Sequence, residues 1–170
     1  MAAEPSPAPP FRLLFVCSGN TCRSPLAEAL ARREIARRGL DSLHVSSAGT
    51  GAFPGSRTSV GALRAARRHG LDLTGHRSRP LTAEAVADAD LILTMAPHHR
   101  DRAVNLGGEG KTLLLTAFAH GVEPGGGAAE AYPCVGDPFG GDDAVYEATY
   151  EELEELVARA LEHLESRLSS

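Results

Sequence analysis

Phe15-Val16-Cys17-Ser18-Gly19-Asn20-Thr21-Cys22-Arg23-Ser24-Pro25 is the stretch from which the rest of the chain is read. The apolar run Leu13 to Val16 reads as a buried parallel strand. It ends at a thiol, and Pro25 opens an alanine-rich helical pattern, where proline suits the first helical turn. Cys17 and Arg23 are therefore separated by five residues in a short loop between strand and helix. Wrapped onto a helix N-terminus, such a loop turns successive backbone N–H groups into a concavity that suits a tetrahedral dianion. The helix end and Arg23 both favour a thiolate at Cys17, and the thiolate is the reactive form. A fixed nucleophile under a bound phosphate, with a guanidinium fork on its oxygens, is equipment for phosphoryl transfer through a cysteinyl-phosphate.

Outward from this stretch, Ala27, Leu30, Ala31 and Ile35 form an apolar stripe on a helix from about Ser24 to Arg38, stopped by Gly39. Leu43 to Ser47 reads as a second strand and about Ser59 to His69 as a second helix, with Gly70 as its stop. Thr82 caps a short helix through Ala87. Leu91 to Met95 is a third strand, about Pro97 to Val104 a short helix, and Lys111 to Leu115 a fourth strand. Ala119 to Asp143 is glycine-rich without periodicity and reads as one long loop, a length that in compact domains goes with function. Leu153, Leu156, Val157, Ala160, Leu161, Leu164 and Leu168 mark a final amphipathic helix whose stripe is core packing.

Short apolar strands alternating with helices predict an α/β fold, a single doubly wound domain with a parallel sheet. Ligands of such folds bind beyond the carboxyl ends of the strands, where the strand order switches. Cys17, Ser47 and Asp137 can meet at that edge although they are far apart in sequence.

A length of 170 residues with 42% apolar content is enough for one domain with a proper core. No apolar run approaches the ~20 residues that span a bilayer. Residues 1–10 contain four prolines and read as a disordered Pro-rich tail, with the domain over 11–170. That tail has neither the basic start nor the apolar stretch of a signal peptide, so a cytoplasmic location is expected. Three cysteines make no secreted disulfide framework. Residues 1–103 hold 14 basic and 9 acidic side chains against 3 and 13 in the remainder. The front arginines, among them Arg32, Arg33, Arg37, Arg38, Arg64, Arg67 and Arg68, fall on helical faces without interleaved aromatics. They read as solvated faces that attract anionic substrates, not as a nucleic-acid site. No cofactor is implied. Cys17, Cys22 and Cys134 match no metal-ligand spacing, and Cys134 reads as structural. Asn105 to Thr112 nearly spells a nucleotide-binding phosphate loop, but it precedes a strand instead of following one and reads as a turn.

Asp137-Pro138-Phe139-Gly140-Gly141 lies in the long loop. Cleavage of a phosphorylated side chain expels a weak acid's conjugate base, with a pKa of about 10 for a phenol and above ~12 for a guanidine. Neither leaves unprotonated at neutral pH, so Asp137 reads as the general acid that afterwards activates water. Ser24 can donate a hydrogen bond to the sulfur. Gly19 and Asn20 tolerate the left-handed backbone that a curled loop demands. Cys22 is either a small packed residue or a partner for reversible oxidation of Cys17.

Val16 to Pro25, followed by Asp137-Pro138, resembles the two-part signature of low-molecular-weight protein phosphatases. Thr21 and Phe139-Gly140-Gly141 are most similar to the bacterial protein-arginine phosphatases of that family. The resemblance runs from about Phe11 to the last helix. It implies a four-stranded parallel sheet with helices on both faces. It implies Cys17, Arg23 and Asp137 as the catalytic set, and Ser18, Gly19, Asn20, Thr21, Cys22, Arg23 and Ser24 as the phosphate loop. It also implies a buried network of Asn20, Ser47 and His76 that holds the loop, and phosphorylated proteins as partners; a monomer is expected.

Thr21 stands where tyrosine-specific relatives usually carry an aliphatic residue. Phe139 supplies one aromatic wall where those relatives often have two. Both choices favour phosphoarginine, with a protein-tyrosine phosphatase as the alternative reading. Arsenate reductases of this fold need further cysteines that lone Cys134 does not supply. A non-catalytic phosphate-binding module would have no use for Cys17 or Asp137.

Overall fold

A computed structural model of the chain describes residues 9–125 and 131–170. Most of the expected Pro-rich tail (residues 1–8) and the middle of the long loop (126–130) lie outside the described residues. The elements in order are β1 (Phe11–Cys17), α1 (Arg23–Arg38), β2 (Leu43–Gly49), α2 (Val60–Arg68), α3 (Ala83–Asp88), β3 (Leu91–Thr94) and α4 (Pro97–Ala103). A π-helical turn at Val104–Gly108 then leads into β4 (Thr112–Leu114), α5 (Leu115–Ala119) and α6 (Asp143–Leu168). The sheet is four-stranded and parallel, in the order β2-β1-β3-β4. The fold is the expected α/β one, and the order switches at β1, whose two neighbours are β2 and β3.

The pleat of β1 sorts its side chains between two cores. Leu13 and Phe15 join α1, α2, α5 and α6 on one face. Leu14 and Val16 face the other way, with Ile92, Val86 of α3 and Ala103 of α4. Burial on both faces is why β1 is a continuous apolar run and not an alternating one. Both cores end at the same strand edge, so the loop after Cys17 is anchored from above and below.

The ends of the helices follow local chemistry. Gly39 closes α1 in the left-handed conformation (φ 68°), and its N–H bonds the Ile35 carbonyl. Thr82 caps α3 by accepting from the Ala85 N–H, as its sequence position implied. Asp142 caps α6 by accepting from the Val145 N–H. The turn at Val104–Gly108 takes up the near-match to a nucleotide motif, and Thr112 there donates to the Gly108 carbonyl at 2.8 Å.

Helix α5 departs from the expectation of a strand to Leu115 and a loop from Ala119, with no helix expected between them. Its five residues are all buried, so no polar face marks a helical period. Among the described residues, no helix is long and apolar enough to cross a membrane.

Gly61 of α2 lets that helix close on Tyr146 of α6, since a Cβ there would meet the Tyr146 ring at 2.3 Å. Gly61→Ala is expected to lower stability by about 2 kcal/mol, because overpacking outweighs the helix-propensity gain. Urea unfolding of the variant checks this, and a variant as stable as the wild type would show that α2 can shift freely.

Candidate active site

The floor of the site is set by backbone hydrogen bonds that follow from the strand register. Carbonyls of Cys17, Ser18 and Thr21 accept from the N–H groups of Thr50, Gly51 and Ser59, each at 2.9 Å. His76 Nε2 donates to the Asn20 carbonyl at 2.8 Å. In a planar trans peptide the N–H points opposite to the C=O. Tying these four carbonyls outward therefore turns the amides of Ser18, Gly19, Thr21 and Cys22 inward, over the start of α1.

Asn20 is the only described non-glycine residue with positive φ (54°), and its side chain is fully buried. Its Nδ2 donates to Ser24 Oγ at 2.8 Å and Ser47 Oγ at 2.9 Å, and its Oδ1 accepts from the Arg79 N–H at 3.0 Å. The structure thus brings Asn20, Ser47 and His76 together. Gly19, expected to share the left-handed backbone, does not adopt it. A glycine the sequence reading passed over matters more. A Cβ at Gly49 would come within 2.4 Å of the Ser18 carbonyl oxygen and 2.9 Å of the Asn20 nitrogen. Gly49, at the end of β2 and in register with Cys17, is what lets the curled loop approach.

Cys17 is buried at the bottom of a cavity of about 290 Å³. Its Sγ is 2.9 Å from Ser24 Oγ. Ser18, Gly19, Thr21, Cys22 and Arg23 line the same cavity, joined by Gly51 and, from the far loop, Asp137 and Phe139. Arg23 is buried; its Nη1 donates to the Val135 carbonyl at 2.9 Å, and its Nη2 is 3.5 Å from Asp137 Oδ2. Asp137 is half exposed and accepts from the Phe139 N–H at 3.1 Å, so the Asp-Pro turn and a carboxylate facing Arg23 coexist. Phe139 is 74% exposed, an aromatic wall at the mouth. The loop is held by the Val135 N–H, which bonds the Met95 carbonyl at 2.9 Å, and by Thr116 Oγ1, which donates to the Pro133 carbonyl at 2.8 Å.

Cys22 is a free thiol, as is Cys17. Its Sγ lies 3.0 Å from Ser59 Oγ and 3.6 Å from the Tyr146 hydroxyl. Cys134, expected to be structural, is exposed. The buried residue of this segment is its neighbour Val135.

Sequence reasoning missed His99. This side chain of α4 is fully buried, and its Nε2 is 2.8 Å from Ser18 Oγ. Burial pushes its pKa down from 6.5 to about 3, with the charges of His98 and Arg23 acting in the same direction.

A buried thiol beside a serine hydroxyl, a cup of inward amides, a buried arginine and a half-exposed carboxylate meet at the switch edge of a parallel sheet, the arrangement of a cysteine-based protein phosphatase. The family model described as low molecular weight phosphotyrosine protein phosphatase matches residues 12–170. The chain is 38% identical to a protein-arginine-phosphatase of Geobacillus stearothermophilus over 92% of this chain and 98% of that one. It is 36% identical to the protein-arginine-phosphatase of Bacillus subtilis (strain 168) over 89% and 95% of the two chains. A solved structure of a YwlE arginine phosphatase mutant with a phosphorylated active-site serine superposes with a TM-score of 0.81. It is 35% identical, over 91% of this chain and 96% of that one. The chain belongs to the low molecular weight phosphotyrosine protein phosphatase family.

Folded His99 stays neutral down to about pH 3, whereas in the unfolded chain it protonates near its ordinary value of about 6.5. Its contribution to stability is therefore fully present above pH 6.5 and is lost as the pH falls towards 3, at up to about 1.4 kcal/mol per pH unit. His99→Gln is expected to flatten this loss by about 2 kcal/mol between pH 7 and 5. Urea unfolding at the two pH values checks it, and equal pH dependence in both proteins contradicts it.

Proposed function

We propose that the chain removes the phosphoryl group from phosphoarginine on proteins, with Cys17, Arg23 and Asp137 as its catalytic residues. The reading is carried by three walls of the cavity over Cys17: the hydroxyl of Thr21, the carboxylate of Asp137 and the aromatic ring of Phe139. A planar guanidinium offers donors to the first two and a face to the third, whereas a phenyl ring satisfies only the last. Gly140, at φ 83°, adds no second ring. The relatives named protein-arginine-phosphatases support the same choice.

In this mechanism the amides of residues 18–24 and Arg23 seat the phosphoryl oxygens. At 3.5 Å the Arg23–Asp137 contact is longer than a good hydrogen bond. Nη2 can therefore turn to the phosphoryl group while Nη1 keeps its bond to the Val135 carbonyl. The Cys17 thiolate attacks phosphorus in line, the S–P bond forms as the P–N bond breaks, and Asp137 gives its proton to the leaving guanidine. Ser24, 2.9 Å from the sulfur, stabilises it first as thiolate and then as leaving group. The Asp137 carboxylate next takes a proton from water; that water attacks phosphorus, breaks the S–P bond and releases phosphate. The phosphorylated active-site serine of the similar YwlE mutant supports a covalent step at this position.

Asn20, Ser47 and His76 support the loop in this reading, and Thr21 and Phe139 select the substrate. Cys22, in the same cavity as Cys17, is available as its oxidation partner. The domain over 11–170 acts as a monomer on phosphorylated proteins in the cytoplasm, where the reducing environment keeps Cys17 a free thiol.

Hydrolysis of matched phosphoarginine and phosphotyrosine peptides tests the substrate assignment. Wild type is expected to prefer phosphoarginine by at least about tenfold in kcat/KM. Thr21→Ile is expected to lower that ratio about tenfold, as loss of one hydrogen-bonding group in a site does. A wild type that prefers phosphotyrosine makes the chain a tyrosine phosphatase instead.

A further inference from the structure

His99 takes no part in the mechanism above, yet it is a fully buried imidazole in contact with the phosphate loop. It enters from α4, which begins three residues after β3 ends, at the strand edge that carries the site. Nε2 is 2.8 Å from Ser18 Oγ, and Nδ1 is buried with no hydrogen-bond partner among the described residues. Ser18 follows Cys17 and lines the same cavity.

A neutral imidazole has one N–H and one bare nitrogen, so the Ser18 contact has two forms. With the proton on Nδ1, a buried N–H is left unpaired and the Ser18 hydroxyl spends its own proton on Nε2. The serine then presents only lone pairs to whatever lies over Cys17. With the proton on Nε2, the unpaired group is a bare nitrogen, Nε2–H donates to Ser18 Oγ, and the hydroxyl proton is free. Unpaired buried N–H groups are the rarer of the two defects. The ligand of the cup is an all-acceptor anion, so a donor at Ser18 attracts it and a bare oxygen repels it.

We propose that His99 is a positioning residue for phosphoryl transfer, holding its proton on Nε2 so that the Ser18 hydroxyl donates to the phosphoryl group seated over Cys17. This rests on the phosphatase reading of Cys17. His99 acts only through Ser18 and does not touch the substrate. Its burial beside Arg23 serves the same end, since an imidazolium at this place would be repelled by the guanidinium that clamps the anion.

Side-chain nitrogen–proton NMR correlations of the 15N-labelled wild type at pH 7 read the tautomer without any variant. A proton on Nε2 alone is expected; a proton on Nδ1, or on both nitrogens, overturns the inference. Kinetics then test the coupling, with competitive inhibition by inorganic phosphate as the second readout. Ser18→Ala and His99→Leu are each expected to lower kcat/KM and weaken phosphate inhibition about tenfold, the scale of a hydrogen bond to a charged group. The double variant is expected to lose no more than either single one. His99→Gln, which places an amide donor near the Nε2 position, is expected to recover most of the loss. Losses that add, or phosphate inhibition that stays at the wild-type level, overturn the inference even if the wild type is an active phosphatase. A wild type that turns over no phosphopeptide removes the reading beneath it, and the inference falls with it. Thermal unfolding of each variant separates a lost contact from a lost fold.

Discussion

The side chain of Asn20 is the constraint on which the site depends. A non-glycine residue with φ 54° is held against its backbone preference by bonds to Ser24, Ser47 and the Arg79 N–H. Those bonds reach three separate segments: the helix start, the end of β2 and the irregular stretch after α2. Ser24 passes the constraint on, because its hydroxyl contacts both Asn20 and the Cys17 sulfur. Loop curvature and sulfur environment are thus one network, and neither can relax alone.

The sheet order makes that network possible. With β1 between β2 and β3, loops from both neighbours arrive beside Cys17. β2 delivers Ser47 and Gly49, the second of which leaves room for the Ser18 carbonyl. β3 delivers the Met95 carbonyl that anchors Val135, and through Val135 the segment bearing Asp137. Arg23 closes the circuit by bonding the Val135 carbonyl. A buried guanidinium is tolerable only when its donors are engaged. Here the same bond orients the guanidinium and ties the segment bearing Asp137 to the loop after Cys17.

Much of this was legible in the chain. The Cys17-to-Arg23 spacing with Pro25 placed the strand, loop and helix, and Thr82, Gly39 and the leucine stripe of α6 marked their elements by local chemistry. The position of Asp137 near Cys17 could be expected because the chemistry proposed there demands an acid and Asp-Pro in a long loop offers one. What escaped lacked a local signature. All five residues of α5 are buried, so it shows no polar face. Gly49 looks like any strand-end glycine until the loop it admits is in place. His99 stands in Pro97-His98-His99-Arg100, where sequence cannot tell a solvated imidazole from a buried one; only the position of α4 after β3 pointed to the site. Cys134 reads as structural because it fits no metal-ligand spacing, and spacing carries no information on its exposure.

Chemical quench within the first turnover, followed by peptide mass mapping, reports most directly on whether the sulfur over which this network is built receives the phosphoryl group. With a phosphoarginine peptide and wild-type protein, a phosphoryl group on Cys17 Sγ that forms before free phosphate is released is the expected result. Phosphate release with no phosphorylated Cys17 at any time, or with the label on another residue, would contradict it.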